Sequence, residues 1–133
     1  MALDATPAIA SYDAPKKDLY EMGEIPPLGH VPAQMYGWIL RQERHGDPVD
    51  ALKVEVVDTP KLDSNDVLVL VMAAGVNYNR VWACLGKPAS VFRHPKAPYA
   101  IIGSAASGIV WAVGYRVTRW KLGDHVLLPC HPD

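Results

Sequence analysis

The stretch "AGVNYN", Ala74 to Asn79, sets two amides and a phenol within three residues directly after the apolar run Val67 to Met72. Each of those polar groups costs free energy if buried without a partner, so Asn77, Tyr78 and Asn79 either tie a turn together or face a ligand. Asparagine commonly bonds its own backbone in turns, which is the plainer role for Asn77. Trp82 follows Asn79 by three residues, which on a helix places both on one face. It reads either as a core anchor or as the wall of an apolar pocket. The loop "KPASVFRHPKAPY" brings Phe92 and Tyr99 as further lining residues. Near the end of the chain, "HVLLPCHPD" gathers His125, Cys130, His131 and Asp133 within nine residues. No ligand spacing of a known metal site is met there, so no metal is expected. His30, His45 and His94 are isolated in sequence and read as surface or cap residues, His45 within the charged turn "RQERHGDP".

The elements that must position these groups read mostly as strands. "YGWILRQ" is β-branched and aromatic, and "ALKVEVVDTP" sets Leu52, Val54 and Val56 against Lys53 and Glu55, which predicts one wet face. "DVLVLVMAAGV" is apolar at every step, as in a strand covered on both sides. "RVWACLG" is long enough for two helical turns, and "SGIVWAVG" and "DHVLLPC" read as two more strands, with turns at Gly114, Gly123 and Asp124. Five or so short strands with little helix predict a small antiparallel barrel or sandwich. Residues 1–34 carry Pro7, Pro15, Pro26, Pro27 and Pro32 and predict an extended arm, with one helix-compatible piece at Lys16 to Met22. Its apolar members, Leu19, Tyr20, Met22, Ile25 and Leu28, predict that the arm docks. No GxGxxG stands between a strand and a helix; "IIGSAASG" precedes a strand and cannot present a helix N-terminus to a pyrophosphate.

Composition bounds the class. With 133 residues, 50% hydrophobic and 20% charged, the chain suits one globular domain with a core of its own. The net charge of -1, with neither sign gathered into a block, points to neither nucleic acid nor a membrane surface as partner. Two cysteines outside any CxxC pair predict a reducing compartment. The N-terminus lacks the order of a signal peptide, and the apolar run from Val67 to Val76 is shorter than the roughly 20 residues of a membrane helix, so a soluble, cytoplasmic protein is expected.

The motif "GVNYN" after an apolar strand, then "P-Y-x-x-x-G-S-x-x-S-G-x-V-x-x-V-G" at Pro98 to Gly114 and "W-K-x-G-D-x-V" at Trp120 to Val126, resembles the GroES-like catalytic domain of medium-chain dehydrogenases/reductases. Within that superfamily, "KDLYEMGEIPPLGHVPAQMYGW", "RQERHG" and "VLVMAAGVNYN" resemble the crotonyl-CoA carboxylase/reductases, from about Lys17 to the last residue. The resemblance implies a mainly β fold: a GroES-like, partly open β-barrel with few short helices and an extended N-terminal arm. Residues 1–34 would be the arm and residues 35–133 the substrate-side domain, incomplete here, with the Rossmann nucleotide-binding domain outside this chain. The chain alone is then not expected to turn over.

The same resemblance implies the chemistry. NADPH is the expected cofactor, bound mainly by the domain not present here, and an acyl-CoA thioester and CO2 are the expected substrates, in a homo-oligomer or an assembly with the remainder of the enzyme. Asn79 is the expected catalytic residue, holding CO2 beside the α-carbon of an enolate, with Asn77, Tyr78, Trp82, Phe92 and Tyr99 contacting substrate. Zinc-dependent relatives carry a cysteine and a His-Glu pair where Asn77, Ser104 and Ala105 stand, and amide, hydroxyl and methyl groups cannot replace thiolate and imidazole around zinc. Two positions depart from the family pattern: Ala105 replaces an acid, and Arg80 stands where a small residue is usual. They leave open a non-carboxylating enoyl-CoA or quinone reductase. The short chain leaves open a non-catalytic GroES-like interaction module.

Overall fold

The computed structural model describes residues 15–92 and 98–129. Its elements run β1 (Gln34–Leu40), a 3-10 turn (Gln42–Arg44), α1 (Pro48–Ala51), β2 (Lys53–Asp58), β3 (Val67–Ala74), α2 (Asn79–Leu85), β4 (Ala100–Ile101), β5 (Ala106–Val113) and β6 (His125–Leu128). The fold is mainly β with short helices. Among the described residues the strands form two antiparallel three-stranded sheets, ordered β2-β1-β4 and β3-β5-β6, which do not close into a barrel.

The central strands carry the buried side chains, because a strand paired on both edges is the one least open to water. In the first sheet these are Ile39 and Leu40 of β1, joined by Val57 of β2; in the second, Ile109, Val110 and Trp111 of β5. Gly108 lets β5 approach β3 closely: a Cβ there would fall on the Leu70 carbonyl. That register, Leu70 opposite Ile109 and Val71 opposite Gly108, is flanked by irregularities at Leu68/Val69 and Val71/Ala73. They bend β3 where it leads into the opening motif.

Two strands differ from the expectations of their sequence. Val71 and Met72 of β3 are 53% and 54% exposed, so this strand is not covered on both faces by the described residues. In β2 the expected faces are exchanged: Val54 and Val56 are exposed, while Val57 is buried and Glu55 is partly buried. The reason is electrostatic matching. Glu55 takes Arg41 Nη2 at 2.6 Å and Arg44 Nη2 at 2.6 Å, so its carboxylate is compensated on the less exposed side. Arg41 also donates to the Pro98 carbonyl at 3.4 Å, tying β4's approach to the same cluster.

The described part of the arm, from residue 15 to β1, contains no helix; the Lys16 to Met22 piece runs as bends and a turn. Its contact with the second sheet is specific. Trp111 Nε1 donates to the His30 carbonyl at 3.0 Å, His30 Nε2 lies 2.9 Å from the Lys17 carbonyl, and Asp18 O accepts from Gln34 N–H at 2.8 Å. Tyr20 is buried and donates to Pro15 O at 2.8 Å, whereas Met22, Ile25 and Leu28 remain exposed. His30 is thus a bonded part of the arm's fold and not an isolated surface group.

Candidate functional site

The opening motif forms the turn between β3 and α2. Gly75 N–H donates to Ala105 O at 2.9 Å, closing the turn against the segment before β5. Asn77 Oδ1 then accepts from Asn79 N–H at 3.1 Å, which occupies one of the donors that every helix start leaves unpaired. Tyr78 O accepts from Val81 and Trp82 N–H, and the helix ends at Gly86, whose φ of +66 suits a residue without a Cβ. The amide of Asn77 therefore has a turn-forming role, as its type suggests.

Alternate faces of α2 then part company. Cys84 is fully buried in a cluster with Leu40 and Ala51, against which Leu52, Phe92 and Ile102 pack. Burial pushes the Cys84 thiol up from its ordinary pKa, with Asp47 adding to the effect, so this sulfur is a packing group and not a poised thiolate. On the outer face Tyr78 and Trp82 meet edge to face, 5.5 Å between centroids at 71°, with Tyr78 66% and Trp82 44% exposed. Asn79 is exposed as well.

Arg80 and Val81 face elsewhere, into an open groove of about 620 Å³ whose walls include Trp38, Leu52 and Ile102 and whose polar members are Asn77 and Arg80. Of the residues expected from sequence to form a site, Asn77 alone lines this groove. Tyr78 and Trp82 form the exposed aromatic wall. Phe92 packs behind α2, and Tyr99 lies under Arg41, 6.0 Å from its guanidinium carbon to the ring centroid.

His45 is the residue that sequence reasoning most undervalued. Its Nδ1 donates to Cys84 O at 2.9 Å, its Nε2 lies 3.2 Å from Ser90 Oγ, and its ring meets Phe92 edge to face at 5.5 Å. A carbonyl only accepts, so Nδ1 carries a proton and the imidazole joins the turn after β1, the end of α2 and the loop beyond it. No local pattern announces a partner 39 residues away. His94, Cys130, His131 and Asp133 lie outside the described residues.

Among the described residues no group of three or more His, Cys, Asp and Glu side chains could hold a metal ion. Nor do these residues build a dinucleotide cradle. Every described strand pairing is antiparallel, and the segment "IIGSAASG" leads into β5 and not into a helix. No helix among the described residues is long and apolar enough to cross a membrane.

Comparison with known proteins agrees with this architecture. Across 133 residues the chain is 64% identical to the crotonyl-CoA carboxylase/reductase of Cereibacter sphaeroides, spanning 31% of that protein's length. A solved crotonyl-CoA carboxylase/reductase superposes with a TM-score of 0.87 at 57% identity, over 92% of this chain and 29% of that one. The crotonyl-CoA carboxylase/reductase AntE, solved in complex with NADP, superposes with a TM-score of 0.75 at 54% identity, over 84% of this chain and 28% of that one. The chain thus spans about a third of the length of these relatives. Residues 63–132, from the lead into β3 through β6, match the alcohol dehydrogenase GroES-like domain. Two open antiparallel sheets, a short helix after a strand that runs from half-buried to exposed, and that match together place the chain in the alcohol dehydrogenase GroES-like domain family, to which it belongs.

Proposed function

We propose that this chain supplies the substrate-side face of an NADPH-dependent reductive carboxylase of 2-enoyl-CoA thioesters, of the type that converts crotonyl-CoA and CO2 to ethylmalonyl-CoA. The supporting observation is the identity of 64% over the whole chain to a crotonyl-CoA carboxylase/reductase, with the Asn77 to Trp82 segment presented at the exposed start of α2. In this reading NADPH is held mainly by residues outside this chain and delivers hydride to the β-carbon of the thioester, and the protein works as a homo-oligomer.

The chain's own residues then have distinct tasks. Asn77 fixes the turn through its bond to Asn79 N–H, so the Asn79 amide starts from a fixed backbone. Asn79 donates to an oxygen of CO2 and holds the CO2 carbon beside the nucleophilic α-carbon. As the new carbon–carbon bond forms, charge moves onto the CO2 oxygens, where an amide donor stabilises it. A neutral donor suits the step because an acidic one would protonate the α-carbon instead. Tyr78 and Trp82 give the acyl chain an apolar wall that excludes water, the other source of protons. Phe92 supports α2 from behind, and Tyr99 is held on the neighbouring segment by Arg41.

A second reading, a reductase that does not carboxylate, draws on Ala105, whose methyl packs toward Gly75 and offers the turn no acid, and on the cationic Arg80 next to Asn79. Labelled bicarbonate separates the two. Full-length protein given a 2-enoyl-CoA, NADPH and 13C-bicarbonate yields a product one carboxyl group heavier and labelled if it carboxylates. An unlabelled saturated acyl-CoA as sole product supports the second reading.

A further inference from the structure

We propose that the groove beside α2 binds an aliphatic monocarboxylate, its hydrocarbon chain against Trp38, Leu52, Val81 and Ile102 and its carboxylate on Arg80. The inference stands apart from reductive carboxylation, since it concerns a different face of α2 from Asn79 and Trp82.

Arg80 carries the argument. Its Nε is buried and has no hydrogen-bond partner, and none of the ion pairs among the described residues includes it. Arg44 Nε is buried and unpaired as well, but its Nη2 closes on Glu55, as does that of Arg41, whereas Arg80 has no such carboxylate among the described residues. Gly103 lies beside the guanidinium, where even an added Cβ would stand 3.5 Å from Nη2, so the absence of a side chain there leaves the fork uncovered. Arg80 is only partly buried and lines the groove, so an anion there would meet its permanent charge through the exposed part of the guanidinium.

The walls select which anion. Trp38, Leu52, Val81 and Ile102 are apolar, and among the described residues lining the groove Arg80 is the one cation, which suits a single negative charge on a hydrocarbon body. A carboxylate is planar and presents two oxygens at the spacing of the guanidinium fork. A phosphate ester or nucleotide would bring further charge against tryptophan and aliphatic walls, with no second cation among the described lining residues to meet it. The volume, about 620 Å³, lies within the range of small-molecule sites.

Equilibrium dialysis of radiolabelled octanoate against the full-length protein tests this, with octanol and octylamine as competitors. Saturable binding of one octanoate per chain is expected, weakened at least tenfold in Arg80→Met and less in Arg80→Lys, with octylamine failing to compete and octanol competing poorly. Val49→Trp provides a second variant: Val49 lines the groove and is highly exposed, so a larger side chain should block octanoate while leaving the melting temperature in place. The proposal is overturned if octanoate does not bind saturably, as when another part of the protein fills the groove. It is equally overturned if Arg80→Met and Val49→Trp bind octanoate as the parent does, or if octanol binds as well as octanoate.

Discussion

His45 and Cys84 are joined across the molecule: the imidazole Nδ1 donates to the Cys84 carbonyl at 2.9 Å, and the same carbonyl accepts from Gly46 N–H at 2.9 Å. One oxygen at the last turn of α2 thus anchors the whole turn that follows β1. The other imidazole nitrogen reaches Ser90, whose Oγ accepts from Phe92 N–H at 3.1 Å, so the ring sets both the end of the helix and the loop beyond it.

Removing that ring should therefore loosen α2 from its C-terminal end. His45→Ala is expected to cost about 1–3 kcal/mol, from the lost bonds and the space left against Phe92. His45→Gln, which keeps a donor, should recover part of it. Chemical denaturation of the full-length variants reads both values, and equal stability of His45→Ala and the parent would show that the staple carries no weight.

Gly108 is expected to be intolerant of any side chain. A Cβ there meets the Leu70 carbonyl and Val69 Cγ1, backbone and branched atoms that cannot move without breaking the β3–β5 register. Gly108→Ala should destabilise the protein by roughly 2 kcal/mol or more, through overpacking and not through lost contacts. Gly23, around whose Cβ position no atom lies within 4 Å, is the control for crowding, its substitution cost being set by its φ of +91 alone. A Gly108→Ala melting temperature equal to the parent's would contradict the packing described here.

Glu55 gives an acid dependence of definite sign. Hydrogen bonds from Arg41, and secondly from Arg44, hold its carboxyl below the usual glutamate range. A lowered folded-state value means that the stabilisation is present above the unfolded pKa and is lost as pH falls through the folded one. Glu55→Gln should thus be less stable than the parent at neutral pH, with the gap closing below about pH 4.3, the ordinary glutamate value. Melting temperatures across that range measure it; a gap that does not change with pH would mean the charge is not what holds Arg41 and Arg44.

Much of the strand content is legible because the apolar runs of β3 and β5 and the turns at Gly114 and Gly123 are local signals. The short helix after "GVNYN" is legible for the same reason. The face of β2 is not, because alternation assigns Glu55 to water and cannot foresee two arginines from the turn after β1 closing on it. Exposure of Val71 and Met72 is hidden likewise: hydrophobicity states what a strand prefers, not whether a partner surface lies against it. The candidate site follows the same division. Asn77's turn bond is a property of three consecutive residues, whereas the groove at Arg80 is assembled from β1, α1, α2 and the segment after β4.

The most direct measurement is the ratio of carboxylated to simply reduced product made by full-length Asn79→Ala from a 2-enoyl-CoA, NADPH and labelled bicarbonate. The account predicts a shift of at least tenfold toward the reduced acyl-CoA, with consumption of NADPH falling far less. An unchanged ratio would contradict it, because CO2 would then be held without the amide at the head of α2.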